Sequence, residues 1–222
     1  MFEIKNLCKN INGLTVLEDI SFFIPKGAFL FIVGKSGSGK TTLLDCLSKR
    51  KKPSSGEIIE KEVLPSTKIG KVFQDFHLLP DLTVIENILY PLEVEGNVSH
   101  EKKQKAKFLL SKMKLTGKEN CFPAEISGGE IQRVGIARAL MINEKIIIAD
   151  EPTSNLDPKT AREIMDYFFK IHQQGTTVII STHDWSFLDS YPARVIELRE
   201  GRIIRDENSQ YFSNSLSNKE SS

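Results

Sequence analysis

The chain has 222 residues, 40% hydrophobic and 27% charged, enough for a globular core that needs neither disulfides nor structural metal. Thirty Lys and Arg against twenty-nine Asp and Glu leave a net charge of +1, so no global field attracts polyanions, and nucleic acid is not an expected partner. The longest apolar run, 28–33, is far below the ~20 residues that cross a bilayer. The first residues lack the layout of a secretory signal, and the spaced Cys8, Cys46 and Cys121 read as reduced thiols, so a cytosolic chain is expected.

In chain order, Phe29–Val33 is a short apolar run stopping at Gly34, as a buried strand does. Gly34-Lys35-Ser36-Gly37-Ser38-Gly39-Lys40-Thr41 follows: two glycines five apart, then a lysine and a hydroxyl residue, between a strand and a helix. Glycines let such a loop curl so that successive N–H groups point at phosphate oxygens, and the helix dipole adds its positive end. Lys40 is expected to reach the β- and γ-phosphates and the Thr41 hydroxyl to ligate Mg2+. A phosphate loop by itself leaves kinases, GTPases and transport ATPases open.

A helix is expected over Lys40–Lys52, with Leu43, Leu44 and Leu47 on one face, and a second strand over Ile69–Phe73. Between Pro80 and Asn143 the texture is helical. Leu82–Leu92 is helix-compatible up to Pro91. Ser99 caps a charged helix with Phe108, Leu109 and Met113 on its apolar side and Lys102, Lys103, Lys105 and Lys107 on its wet face. A third helix runs Gly129–Met141. Before it, Ser127-Gly128-Gly129-Glu130 reads as a capping box, Ser127 the cap and Glu130 at N3. The same helix end is an anion site whose phosphate a second copy of the chain could supply.

The strand Lys145–Ala149 ends in Asp150-Glu151. Placed beside the phosphate-loop strand, it would bring Asp150 to the metal and aim Glu151 at the γ-phosphate, where a base polarises attacking water. Thr176–Thr182 is a further strand, and Val195–Leu198 with Ile203-Ile204 a terminal hairpin. The last fifteen residues, 208–222, hold six Ser and three Asn and read as a disordered tail. Strands and helices alternating outside, with helices alone inside, predict an α/β domain over 1–207 with a helical insertion at about 78–142.

Five stretches in this order, GKSGSGKTT (34–42), Gln74 in VFQD, ISGGEIQR (126–133), IIIADEPTSNLD (146–157) and His183 in STHD, resemble the nucleotide-binding subunit of ABC transporters. The resemblance covers nearly the whole chain to about Glu207. It implies a P-loop NTPase core of the ABC ATPase kind, with an N-terminal antiparallel β-subdomain and an inserted α-helical subdomain, that hydrolyses ATP with Mg2+. It implies a head-to-tail homodimer in which each ATP lies between one P-loop, Gly34 to Thr42, and the other copy's Ser127, Gly128, Gly129 and Glu130. Gln74 would touch Mg2+ and the lytic water; His183 would contact the γ-phosphate and orient Glu151; Asp157 would link the two sites. Residues 76–92 would receive an integral membrane partner, placing the chain peripherally on the cytoplasmic face of the plasma membrane.

The stretches VFQDFHLLPDLTVIENI (72–88) and ADEPTSNLDP (149–158) are similar to the subgroup containing the cell-division ATPase FtsE, the lipoprotein-release ATPase LolD and the efflux ATPase MacB. QGTTVIISTHD (174–184) and ARVIELREGRIIRDE (193–207) come nearest the FtsE pattern, which implies an FtsX-like membrane partner and a role in cell division. A LolD- or MacB-like ATPase and a soluble ABC ATPase are the alternatives. Two departures stand out: Ile11 and Val16 occupy the region where the family stacks adenine on an aromatic, and the stretch from Gly56 to Gly70 is short.

Overall fold

A computed structural model describes residues 2–60, 69–72, 78–94, 96, 98–141 and 145–209. The chain opens with two long strands, β1 (Phe2–Ile11) and β2 (Leu14–Ile24), joined through Asn12-Gly13. Both turn residues have positive φ, 50° and 81°, the geometry that matches the twist of a tight hairpin. Then come β3 (Phe29–Val33), α1 (Lys40–Leu47), β4 (Ser55–Glu60) and β5 (Ile69–Val72). Three helices follow, α2 (Val84–Glu93), α3 (His100–Lys112) and α4 (Gly128–Met141). The chain then returns through β6 (Ile146–Asp150), α5 (Pro158–Gln173), β7 (Thr177–Thr182), β8 (Arg194–Arg199) and β9 (Arg202–Asn208).

Two sheets result. β4 pairs with β1 on the side away from β2, giving the antiparallel layer β2-β1-β4. The second sheet has the order β5-β6-β7-β3-β8-β9, parallel except for the antiparallel edge strand β9. This is the α/β architecture, with an antiparallel N-terminal layer and helices between β5 and β6, that the sequence implies.

Alternation along the central strands explains their apolar runs. Phe29, Phe31 and Val33 face one hydrophobic core, formed with α2 to α5; Leu30 and Ile32 face the other, formed with α1 and the antiparallel layer. Ile147 and Val178 join the first core, Ile148 and Ile179 the second. A strand covered on both faces has no polar side to show. Among the described residues no helix is long and apolar enough to cross a membrane.

Five local expectations are corrected. α1 stops at Leu47 instead of reaching Lys52, because Lys49 turns to φ 61° and the N–H groups of Arg50 and Lys51 fold back onto the Asp45 carbonyl. α2 runs through Pro91 to Glu93, since a proline in the last turn forfeits little further helix. On α3 the buried stripe is Ala106, Leu109 and Leu110, with Met113 just past its end, while Phe108 is 53% exposed beneath the Lys112 ammonium. Lys105 leaves the wet face: its Nζ donates to the Met141 carbonyl at 3.0 Å, and burial pulls its pKa below the usual lysine value. At the C-terminus, β9 includes Asn208, and buried Ser209 accepts from Ala193 N–H and donates to Tyr191 O, so order continues past the expected start of the tail. The rest of that segment, 210–222, lies outside the described residues.

Asn87 on α2 anchors the loop before that helix. Fully buried, its Oδ1 accepts from Leu79 N–H at 2.8 Å, and its Nδ2 donates to the carbonyls of Leu79, Leu82 and Thr83 at 2.9–3.1 Å. Asn87→Leu strands these groups and is expected to lower unfolding stability by about 2–3 kcal/mol, measured in urea. A loss under about 0.5 kcal/mol would mean that the loop satisfies itself with water.

Candidate functional site

The site lies at the carboxyl ends of the parallel strands, where α/β sheets present their loops. β3 delivers the chain to Gly34 at φ 149°, where any side chain would run into the Leu198 carbonyl and Ser38 Oγ. The loop closes at Gly39, φ 104°, the cap of α1; an added Cβ there would press on Leu17 Cδ2 and the Val16 carbonyl. Lys40 is only 5% exposed. Its ammonium donates to the carbonyls of Gly34 (2.8 Å) and Lys35 (3.2 Å), which holds the loop in its curl. Thr41 is exposed on the first turn of α1 and Thr42 buried behind it. Val16, the loop, this first turn, Glu151 and His183 wall a cavity of about 470 Å3.

Glu151 crosses to the loop from β6. That strand is not beside β3 as the sequence reading supposed: β7 lies between, pairing Asp150 with Ser181 on one side and Val33 with Thr182 on the other. All three strand ends are nonetheless level, so Asp150 and Glu151 still meet the loop. The buried Asp150 carboxylate accepts from Ser181 Oγ. Glu151 turns at φ 47°, its N–H donating to Ser181 O (3.1 Å) and Oγ (3.0 Å). Its carboxylate is shared: Oε1 is 3.5 Å from Lys40 Nζ, and Oε2 is 2.8 Å from His183 Nδ1. The His183 ring is otherwise largely in solvent.

The Ser127–Glu130 segment is not part of this cavity. At the start of α4 it forms the expected reciprocal cap: Glu130 Oε2 accepts from Ser127 N–H (2.8 Å) and Oγ (2.9 Å), while Glu130 N–H donates to Ser127 Oγ (3.3 Å). These bonds, backbone first, hold the Glu130 carboxyl below the usual range. Ser127 and Gly128 face solvent. Asp157 caps α5, accepting from Thr160 N–H at 3.0 Å, and the bonds to Thr160 lower its pKa likewise. Gln74 lies outside the described residues.

Residues 17–154 match the family model described as ABC transporter. The chain belongs to this family. The cell division ATP-binding protein FtsE of Bacillus subtilis is 42% identical over 219 residues, 93% of this chain and 96% of that protein. The glutamine transport ATP-binding protein GlnQ of Escherichia coli is 38% identical over 221 residues, 95% of this chain and 92% of that one. A dimeric ATP-binding cassette in a post-hydrolysis state, bound to ADP and Pi, superposes with a TM-score of 0.86 at 36% identity, covering 94% of this chain and 99% of that one.

As an ABC-family member the chain is an ATP-binding, ATP-hydrolysing subunit of transporter type. Its donor set suits a small hard cation: Asp150 offers a carboxylate and Thr41 a hydroxyl, both oxygen ligands, while the His183 imidazole on the same cavity wall is held by the Glu151 carboxylate. The buried, unpartnered Ser38 Oγ also leaves the loop with a polar atom to satisfy.

Sequence reasoning missed the supports of this ABC site. Ser181, which grips both Asp150 and Glu151, looked like one more strand residue; its signal was a serine, a poor strand former, directly after the apolar run Val178–Ile180 in a fully buried strand. The β8–β9 turn was expected as a hairpin, but its contacts were not: Gly201 N–H donates to Ser38 O (3.1 Å), and Gly201 O accepts from Glu18 N–H (2.9 Å), tying the phosphate loop to β2.

Proposed function

We propose that this cassette works as a head-to-tail homodimer, peripheral on the cytoplasmic face of the plasma membrane, that drives an FtsX-like membrane protein in cell division and cell-wall hydrolase activation. The observation that carries the catalytic part is the Glu151 carboxylate, held between His183 and Lys40 at the wall of the phosphate-loop cavity. The FtsE-like assignment is supported by the 42% identity to the Bacillus subtilis FtsE across almost both full chains.

In this reading the N–H groups of 35–41 cradle the phosphates, and Lys40 turns its ammonium from the loop carbonyls to the β- and γ-phosphate oxygens. Thr41 and Asp150, with Gln74, hold Mg2+, which neutralises phosphate charge when bound. Glu151 takes a proton from the attacking water, and His183 fixes the rotamer in which it does so. The other copy's Ser127, Gly128, Gly129 and Glu130 bring a helix N-terminus to the γ-phosphate, and Asp157 lies on the segment linking the two sites. Base contact falls to Val16 and Ile11, which lack an aromatic face, so selection of ATP over other nucleotides is expected to be weak.

Residues 76–92 form the proposed dock. Phe76 and His77 lie outside the described residues. Of the others, Leu78 and Ile85 pack against the core at half burial, and Tyr90 presents its ring to solvent. The 38% identity to GlnQ supports a second reading, a solute-importing complex; a LolD- or MacB-like role is a third. Affinity capture of tagged Glu151→Gln from solubilised membranes with ATP separates them. An FtsX-like protein is the expected catch. A different permease moves the chain to another branch, and recovery of soluble proteins alone removes the membrane assignment.

A further inference from the structure

Gln132 sits on α4 one turn beyond Gly128 and is completely buried. Its Nε2 donates to the Pro152 carbonyl at 2.6 Å, bridging twenty positions of sequence. Pro152 is the residue after Glu151, and without an N–H its carbonyl is its sole main-chain hydrogen-bonding group. The Glu151 turn is therefore gripped from two elements: Ser181 on β7 binds its N–H, and Gln132 on α4 binds the next carbonyl. The turn needs gripping, because φ 47° is an uncommon conformation for a residue with a Cβ. The other end of the Gln132 amide is costly, since Oε1 is buried with no partner. An apolar side chain of equal length would remove that orphan but could not hold Pro152.

We propose that Gln132 is a positioning residue: a strut through which the place of the α4 N-terminus sets the place of Glu151 in the same chain. A helix transmits such a shift because its turns move together. The inference rests on the head-to-tail reading for its consequence. There, Ser127 belongs to one ATP site and Glu151 of the same chain to the other, so the strut couples the two sites and hydrolysis in one depends on closure of the other.

The test is Gln132→Met, which keeps length and burial and deletes the donor. The expected result is a kcat reduced about tenfold, KM for ATP within about twofold, and a Hill coefficient falling towards 1. The thermal midpoint should stay within about 3 °C, because the orphaned Oε1 is lost together with the bond. A carboxylic acid at this position donates only while protonated, and burial raises its pKa. Gln132→Glu should therefore recover kcat, relative to the unsubstituted chain, as pH is lowered. Unchanged kcat and Hill coefficient in the folded fraction overturn the strut, whether the midpoint holds or falls; in the second case Gln132 serves stability alone. An unsubstituted chain that hydrolyses ATP without cooperativity and without ATP-driven dimer formation in light scattering overturns the head-to-tail reading instead.

Discussion

Glu151→Gln is expected to lower steady-state ATP turnover by about 10²- to 10⁴-fold, the contribution of a positioned general base. The amide retains the size of the carboxylate and can still hydrogen-bond His183 Nδ1, which lies 2.8 Å from Oε2. What disappears is a negative charge at the wall of the phosphate cavity, 3.5 Å from the Lys40 ammonium. That charge repels a γ-phosphate and competes for the same lysine. Binding should therefore be preserved or tightened while chemistry stops. Phosphate release and nucleotide titration, measured side by side, check both halves. Turnover within about threefold of the unsubstituted chain would remove Glu151 from the catalytic role.

Lys40→Met acts in the opposite sense, on binding. Met fills the same buried channel but carries no ammonium, so the loop loses its bonds to the Gly34 and Lys35 carbonyls and the phosphates lose a charge-assisted donor. At about 1.5–3 kcal/mol for each such bond to phosphate, affinity for ATP should fall by about a hundredfold or more. The fall should be seen equally with inorganic tripolyphosphate as competitor, since Lys40 addresses phosphate and not base. A variant that binds ATP normally would mean that backbone N–H groups and the helix end suffice, leaving the lysine a support of the loop.

The two substitutions are not independent. Lys40 and Glu151 are neighbours, so the gain in ATP binding from Glu151→Gln should shrink in the Lys40→Met background, where no lysine is left for the carboxylate to compete for.

Much of the site was legible because its chemistry is local in the chain. The phosphate loop uses eight consecutive residues, Gly34 to Thr41, whose backbone needs can be met only by glycine at the turning points. The Ser127–Glu130 cap closes within one helical turn, and the β8–β9 hairpin turns at Glu200-Gly201, both at positive φ. The central strands announced themselves by short apolar runs, FLFIV, IIIA and VII, which both-face burial favours.

Other readings failed where rotation or pairing across the fold decides. One position around a helix is 100°, enough to move Phe108 from the expected apolar face to solvent and Lys105 from solvent to the Met141 carbonyl. Strand order is a property of the whole sheet: nothing in 145–151 says that β7 will stand between it and β3. Sequence alone established an α/β chain with a phosphate loop, and the order of its motifs carried the resemblance to ABC cassettes, because those features depend on neighbours in sequence. Only tertiary structure decided that Ser181 holds Asp150 and Glu151, and that Gln132 holds Pro152. Those bonds join residues twenty to thirty-one positions apart, and a lone serine or glutamine carries no sign of its partner until the fold brings the two together.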